Sequence, residues 1–144
     1  MGATIDLHLH TLASDGRLTP TELIQLVAKQ GLKTISITDH DSTEGLAEAY
    51  EAAKEFPDLR IIPGIEMSAD LPGNEVHVLG YFLDYHDVEF QASLTEFRRG
   101  RVDRAQIMVE KLEALGKPVD WERVQHFAGD GSVGRPHIAL EIGR

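Results

Sequence analysis

Six residues between positions 8 and 77 have the chemistry of metal ligands: His8, His10, Asp15, His40, Glu66 and His77. His8 and His10 alternate along the apolar segment Ile5-Asp6-Leu7-His8-Leu9 and the residue after it. Alternate residues of a strand share a face, so the two imidazoles project together while Leu7 and Leu9 point into packing. Imidazole suits Zn, Fe and Mn, and Asp15, in the loop that follows, adds a hard oxygen donor. A water-facing polar stripe would produce the same His-x-His pattern, so the pair alone leaves both readings open. The other donors each stand at a second, third or fourth extended segment, and each singly also has an ordinary reading as a hydrogen-bonded histidine or a turn-forming acid. Six imidazoles and carboxylates gathered on one edge of a sheet would carry a large desolvation cost. Divalent cations offset that cost.

The elements that must position these donors are legible in order. After the first strand, Thr19-Pro20-Thr21-Glu22 is a helix start, with a capping threonine, proline at the first helical position and a glutamate that completes a capping box. Leu23, Leu26 and Val27 form its apolar stripe and Gly31 ends it. Thr34-Ile35-Ser36-Ile37-Thr38 is a β-branched second strand, which makes a βαβ unit with parallel strands. It runs into Asp39-His40-Asp41-Ser42. A helix is predicted from Gly45 to Phe56, a third strand from Arg60 ending on Glu66, a turn at Pro72-Gly73-Asn74, and a fourth strand from Glu75 to Tyr81 through His77. In parallel α/β folds, sites form at the carboxyl ends of strands.

From about Asp87 to Leu115 the apolar spacing turns helical, through Phe90, Leu94, Phe97, Val102, Ala105, Val109 and Leu112. Gly100 is a candidate break within it and Gly116 its stop. Arg98, Arg99, Arg101 and Arg104 read as a solvated face of this helix. Asp120 caps a short helix, and a glycine-rich loop from Gly129 to Gly134 precedes Arg135-Pro136-His137, where Pro136 starts another. Arg135 can fork onto a phosphate and His137 can contact it or protonate a leaving oxygen; helix-start structure is the alternative for both. His86 and His126 read as surface residues.

Composition narrows the function class. The 144 residues are 42% apolar, enough for a core, and contain no cysteine, which excludes disulfides, thiolate metal sites and a cysteine nucleophile. That fits a cytoplasmic protein. Nothing approaches a membrane span or a signal peptide. Fourteen basic against 24 acidic residues leave a net charge of −10. This argues against nonspecific or duplex nucleic-acid binding and against anionic membranes, but permits a phosphorylated substrate met by bound cations.

Asp6-Leu7-His8-Leu9-His10-Thr11 with Ser14-Asp15-Gly16, Thr38-Asp39-His40-Asp41, and Pro63-Gly64-Ile65-Glu66 with Val76-His77-Val78-Leu79-Gly80-Tyr81 together resemble the motifs of the PHP (polymerase and histidinol phosphatase) family. The resemblance covers essentially the whole chain. It implies an α/β fold, the N-terminal part of a distorted (βα)7 TIM-like barrel with a helical insertion. The expected division is barrel over 1–86, insertion over 87–128, and the start of a return to the barrel over 129–144. Gly134-Arg135-Pro136-His137-Ile138-Ala139 is similar to a segment of the branch of stand-alone phosphoesterases acting on nucleoside phosphates.

Carried over by resemblance, His8 and His10 bind one ion, Glu66 bridges it to a second held by His77, and Asp15 and His40 hold a third. Two or three Mn, Fe or Zn ions are expected in the complete protein. The implied activity is hydrolysis, by a metal-bound hydroxide, of phosphate monoesters of small nucleotides: nucleoside 3′,5′-bisphosphates, monophosphates, or short RNA 5′ ends. Two ions about 3.5–4 Å apart suit that chemistry. Family sites are completed by an Ala-His-Pro segment and a C-terminal Asp-x-His, which residues 129–144 do not contain. The missing barrel half, or a second copy, is therefore an expected partner, and the 144 residues alone are expected to be inactive. The alternatives are a non-catalytic PHP module and an amidohydrolase-like hydrolase.

Overall fold

The computed structural model describes residues 4–71, 74–129 and 131–143. Strand β1 (Ile5–Leu9) leads through α1 (Pro20–Lys29) to β2 (Thr34–Ile37), and α2 (Gly45–Ala53) leads on to β3 (Arg60–Leu71). Hairpin partner β4 (Asn74–Tyr81) follows, then α3 (Val88–Ala114), α4 (Trp121–Ala128) and α5 (Arg135–Ile142). The sheet order is β1-β2-β3-β4, with β1, β2 and β3 parallel and β4 antiparallel to β3. Pro72, Gly73 and Asp130, singled out in turn and loop motifs, lie outside the described residues.

Local chemistry explains most boundaries. The Thr19 hydroxyl accepts from the Glu22 N–H at 3.2 Å while the Glu22 carboxylate accepts from the Thr19 N–H at 2.9 Å, the reciprocal capping box. Gly31 closes the end of α1 at φ +82°, where a side chain would be strained. α2 stops at Ala53, short of Phe56. Residues 54–56 instead make tightened bonds to carbonyls three residues back, an ordinary way for a helix end to satisfy its last acceptors.

Two boundaries differ more from expectation. β3 does not end on Glu66 but runs five residues further to Leu71, because β4 returns alongside it and supplies ladder partners from Gly64↔Tyr81 to Leu71↔Asn74. α3 is unbroken across Gly100, where a mid-helix glycine costs only about 1 kcal/mol, less than the contacts on either side contribute. Of the expected apolar stripe on α3, only Leu94 and Ala105 are buried.

Two apolar cores result. In one, Leu23, Ile24 and Val27 of α1 and Leu46 and Ala49 of α2 cover Ile35 and Ile37 of β2. The other is helical, gathering Ala105, Val124, Ala128, Val133 and Ile138 from α3, α4 and α5. Polar contacts tie α3 to the loop after β2. Gln91 Nε2 donates to Thr43 Oγ1 at 2.8 Å, and Arg98 pairs with Glu44 at 3.3 Å. No helix among the described residues is long and apolar enough to cross a membrane.

Candidate metal centre

The six sequence-selected donors converge at one place. β1 delivers His8 and His10 on one face, and the loop after it folds back, Gly16 N–H bonding to the Thr11 carbonyl at 2.9 Å. A Cβ on Gly16 would collide with the His10 carbonyl, so this return, which sets Asp15 beside His10, requires glycine. His40 follows β2, where an isolated parallel bridge to Glu66 continues the sheet past the strand end. Glu66 and His77 share a face of the β3–β4 hairpin, since Ser68 lies opposite His77 and Glu66 is two residues from Ser68.

Glu66 is the hub. Its Oε2 lies 2.9 Å from His8 Nε2, 3.1 Å from His10 Nε2 and 3.7 Å from His40 Nδ1, and its Oε1 lies 2.5 Å from His77 Nδ1. Asp15 lies 3.5 Å from His10 Nδ1 and 3.6 Å from His40 Nε2. Donor atoms form three trios, each within 4.8 Å: His8-His10-Glu66, His10-Asp15-His40 and His40-Glu66-His77. Burial alone would raise the Glu66 pKa, but the hydrogen bonds from His8 and His77 and the nearby His40 hold it below the usual carboxylate range. His40 is held below the usual imidazole value by burial and by the Arg101 charge, which together outweigh Asp15.

The donor set fits divalent cations by its own chemistry. Neutral imidazoles and ionised carboxylates are the protonation states that ligands need. The buried His40 Nδ1 has no hydrogen-bond partner, an orphan position that a cation would satisfy.

Residues that motif reading left unassigned hold this array. Asp39 is buried and accepts from Thr11 N–H at 2.7 Å, Thr11 Oγ1 at 2.7 Å and Ser14 Oγ at 2.6 Å. It thereby pins both ends of the turn that carries Asp15. Its signal was present in Asp39-His40-Asp41, where two carboxylates flank a candidate donor. Asp41, at φ +49°, accepts from the Ser68 N–H at 3.0 Å and pairs with Arg101, whose Nη2 also donates to Ser68 Oγ.

This corrects the reading of the α3 arginines as a solvated face. Arg99 is solvated, pairing with Glu96, but Arg101 is only 15% exposed, and Arg101 and Arg104 both face the site. A helical pattern cannot reveal what a helix lies against. A cavity of about 340 Å³ is lined by Asp15, His40 and His77 of the donor cluster together with Arg101, Arg104 and Arg135. Arg135 thus stands at the cavity. His137 is buried at the start of α5, its Nδ1 accepting from the Gly134 N–H at 3.0 Å, and it does not line the cavity. His86 and His126 are exposed.

The chain is similar to proteins of described activity. It is 41% identical over 141 residues to a 3′,5′-nucleoside bisphosphate phosphatase of Chromobacterium violaceum, and 40% identical over 138 residues to the 5′-3′ exoribonuclease Rnm of Escherichia coli. These alignments cover 97% and 93% of this chain, which spans about half the length of those relatives, 49% and 46%. Among solved structures, one from Chromobacterium violaceum, described as an amidohydrolase with bound sulfate and no metal, superposes with a TM-score of 0.88 at 35% identity. It is matched over 97% of this chain and 49% of its own. A second, described as a predicted metal-dependent phosphoesterase from Bifidobacterium adolescentis, gives 0.85 at 34% identity over 96% and 49%. The curled four-stranded sheet with its helices is accordingly part of a TIM-like barrel. The PHP domain model matches residues 6–128, the span that holds all six clustered donors, and the chain belongs to that family.

Proposed function

We propose that this chain carries the N-terminal metal ligands and part of the substrate cavity of a phosphoesterase that hydrolyses phosphate monoesters of small nucleotides. Nucleoside 3′,5′-bisphosphates, monophosphates and the 5′ ends of short RNA are the substrate classes, in keeping with the names of the relatives. The observation that carries the reading is a donor cluster centred on Glu66 whose Asp15, His40 and His77 line one cavity together with Arg101, Arg104 and Arg135. Divalent ions held there, Mn, Fe or Zn, would supply Lewis acidity and acidify a water molecule. His8, His10 and Glu66 would hold one ion, and Glu66, His77 and His40 a second, with Asp15 between His10 and His40 as donors for a third. Arg135 and Arg101 supply fixed positive charge in the same cavity, suited to the non-bridging oxygens of a phosphoryl group. His137, tied to Gly134, is assigned to positioning the Arg135 segment rather than to proton transfer.

Among the described residues no lysine lines the cavity, which gives an amidohydrolase site with a carboxylated lysine no anchor here. The test is metal quantification on the full-length protein together with a phosphatase screen over nucleotides and short 5′-phosphorylated RNA. Two or more bound ions with chelator-sensitive release of phosphate are expected. A metal-loaded protein that releases phosphate from none of these would overturn the reading.

A further inference from the structure

A second cavity lies beside the first. It occupies about 450 Å³ between β3 and α3, and the two share Arg101 and Arg104 as a common wall. Its apolar lining is Met67 and Ala69 from β3, and Phe97 and Gly100 from α3. Phe97 is 47% exposed among the described residues, an aromatic surface on a groove that shares Arg101 and Arg104 with the metal-side cavity. Among the described residues, two carboxylates line this groove and each has a cationic partner, Asp41 with Arg101 and Glu96 with Arg99 at 2.6 Å. An anion entering between the cavities meets the guanidinium groups of Arg101 and Arg104, which line both. Arg101 is held by Asp41 and Ser68 through Nε and Nη2, and its Nη1 points toward Gly134 on the metal side, 3.8 Å from where a Cβ on that residue would stand.

An alternation of phosphoryl site, arginine wall and aromatic shelf matches a nucleotide chain, in which a charged linker separates one nucleoside from the next. We propose that the β3–α3 groove is a subsite for the second nucleoside of a single-stranded, 5′-phosphorylated oligonucleotide. Its base stacks on Phe97, and the phosphodiester linking it to the first nucleoside passes Arg101 and Arg104. This rests on the phosphoesterase reading above and selects, among its substrate classes, the short nucleic-acid chain. The acidic chain as a whole repels nucleic acid, so attraction is confined to this arginine row and one or two nucleotides.

Gly100 makes the test clean, because a Cβ placed there meets nothing within 4 Å and a helix gains from replacing glycine. In the full-length, metal-loaded protein, Gly100→Phe would fill the groove, Phe97→Ala would remove the stacking surface, and Gly100→Ala serves as the open-groove control. The reading is the ratio of kcat/KM for a 5′-phosphorylated RNA trinucleotide to that for the matching mononucleotide. Gly100→Phe and Phe97→Ala should each lower that ratio about tenfold, the scale of one lost base–aromatic stack, while Gly100→Ala leaves it in place. Anisotropy of a labelled 5′-phosphorylated trinucleotide, in a metal-loaded, chelator-free sample, should weaken in the same two variants. That measurement decides the subsite even if no phosphate release is found and the catalytic reading falls. An unchanged ratio together with unchanged anisotropy overturns the subsite, and so does an equal fall for both substrates.

Discussion

At the scale of single residues, Glu66 carries the most consequence, since its two oxygens serve His8 of β1, His77 of β4 and, just after β1 and β2, His10 and His40. Glu66→Gln keeps the shape and removes the charge. Bound metal in the full-length protein, measured by elemental analysis, should fall by more than one equivalent; a variant with full metal content would show that Glu66 bridges nothing. Asp39 is a different kind of residue, structural and buried. Asp39→Ala strands the Thr11 N–H and two hydroxyls without their acceptor, at a cost of about 2–4 kcal/mol in denaturant unfolding. His137 offers a pH signature. Burial holds its imidazole below the ordinary value of 6.5, against the opposing charge of Asp15. The unfolded chain therefore binds this proton at higher pH than the folded one. The stability it contributes is complete above about pH 6.5 and is lost as pH falls through the depressed folded value. Thermal melts between pH 7.5 and 5 should show a shallower acid-side decline in His137→Asn, whose amide oxygen can still accept from Gly134. Parallel declines would remove His137 from the account.

At the scale of elements, β2 and β3 must approach closely for His40 to reach Glu66. Gly64 permits this: a Cβ there would overlap Ser36 Oγ and crowd the Ile37 carbonyl, and Ser36 is itself buried and bonded to the Ile62 carbonyl at 2.9 Å. Gly64→Ala should cost about 1–3 kcal/mol by overpacking, and should lower metal content along with stability because His40 and Glu66 are displaced together. By contrast Thr19→Ala, at the far end of α1's capping box, should cost about 1 kcal/mol and leave metal content alone. Equal metal loss in both variants would mean that general destabilisation, not strand spacing, governs the site. The first half of α3 is tied by polar contacts to the loop after β2, while its later turns pack against α4 and α5 through Ala105 and its neighbours. That makes its arginines both cavity wall and tether.

At the scale of the molecule, the described residues form two apolar cores, one of α1 and α2 against β2 and one among α3, α4 and α5. A division near residue 87, with 87–128 as an insertion, predicts two levels of amide protection by hydrogen exchange, β2 and α1 exchanging more slowly than α3 and α4. A single common level would merge the two parts into one cooperative unit. Much of this was legible in the sequence alone. Helix starts at Thr19, Asp87 and Asp120, the parallel βαβ unit and the donor residues all follow from short-range physics: caps bind the nearest N–H groups, and strand alternation sets which side chains share a face. The family motifs added the proposed grouping of the donors. What no local pattern contains is which surfaces meet across long separations in sequence. The extension of β3 beyond Glu66 depended on β4 returning beside it. The conversion of Arg101 from a solvated side chain to a cavity wall depended on Asp41, 60 residues away, and Ser68. His137 is buried at the start of α5 beside Asp15 and Ser14, more than 120 residues away in sequence. Local free energies choose helices, turns and faces, but burial of a charged group is decided by whatever partner the fold brings to it, and that is a property of the tertiary structure.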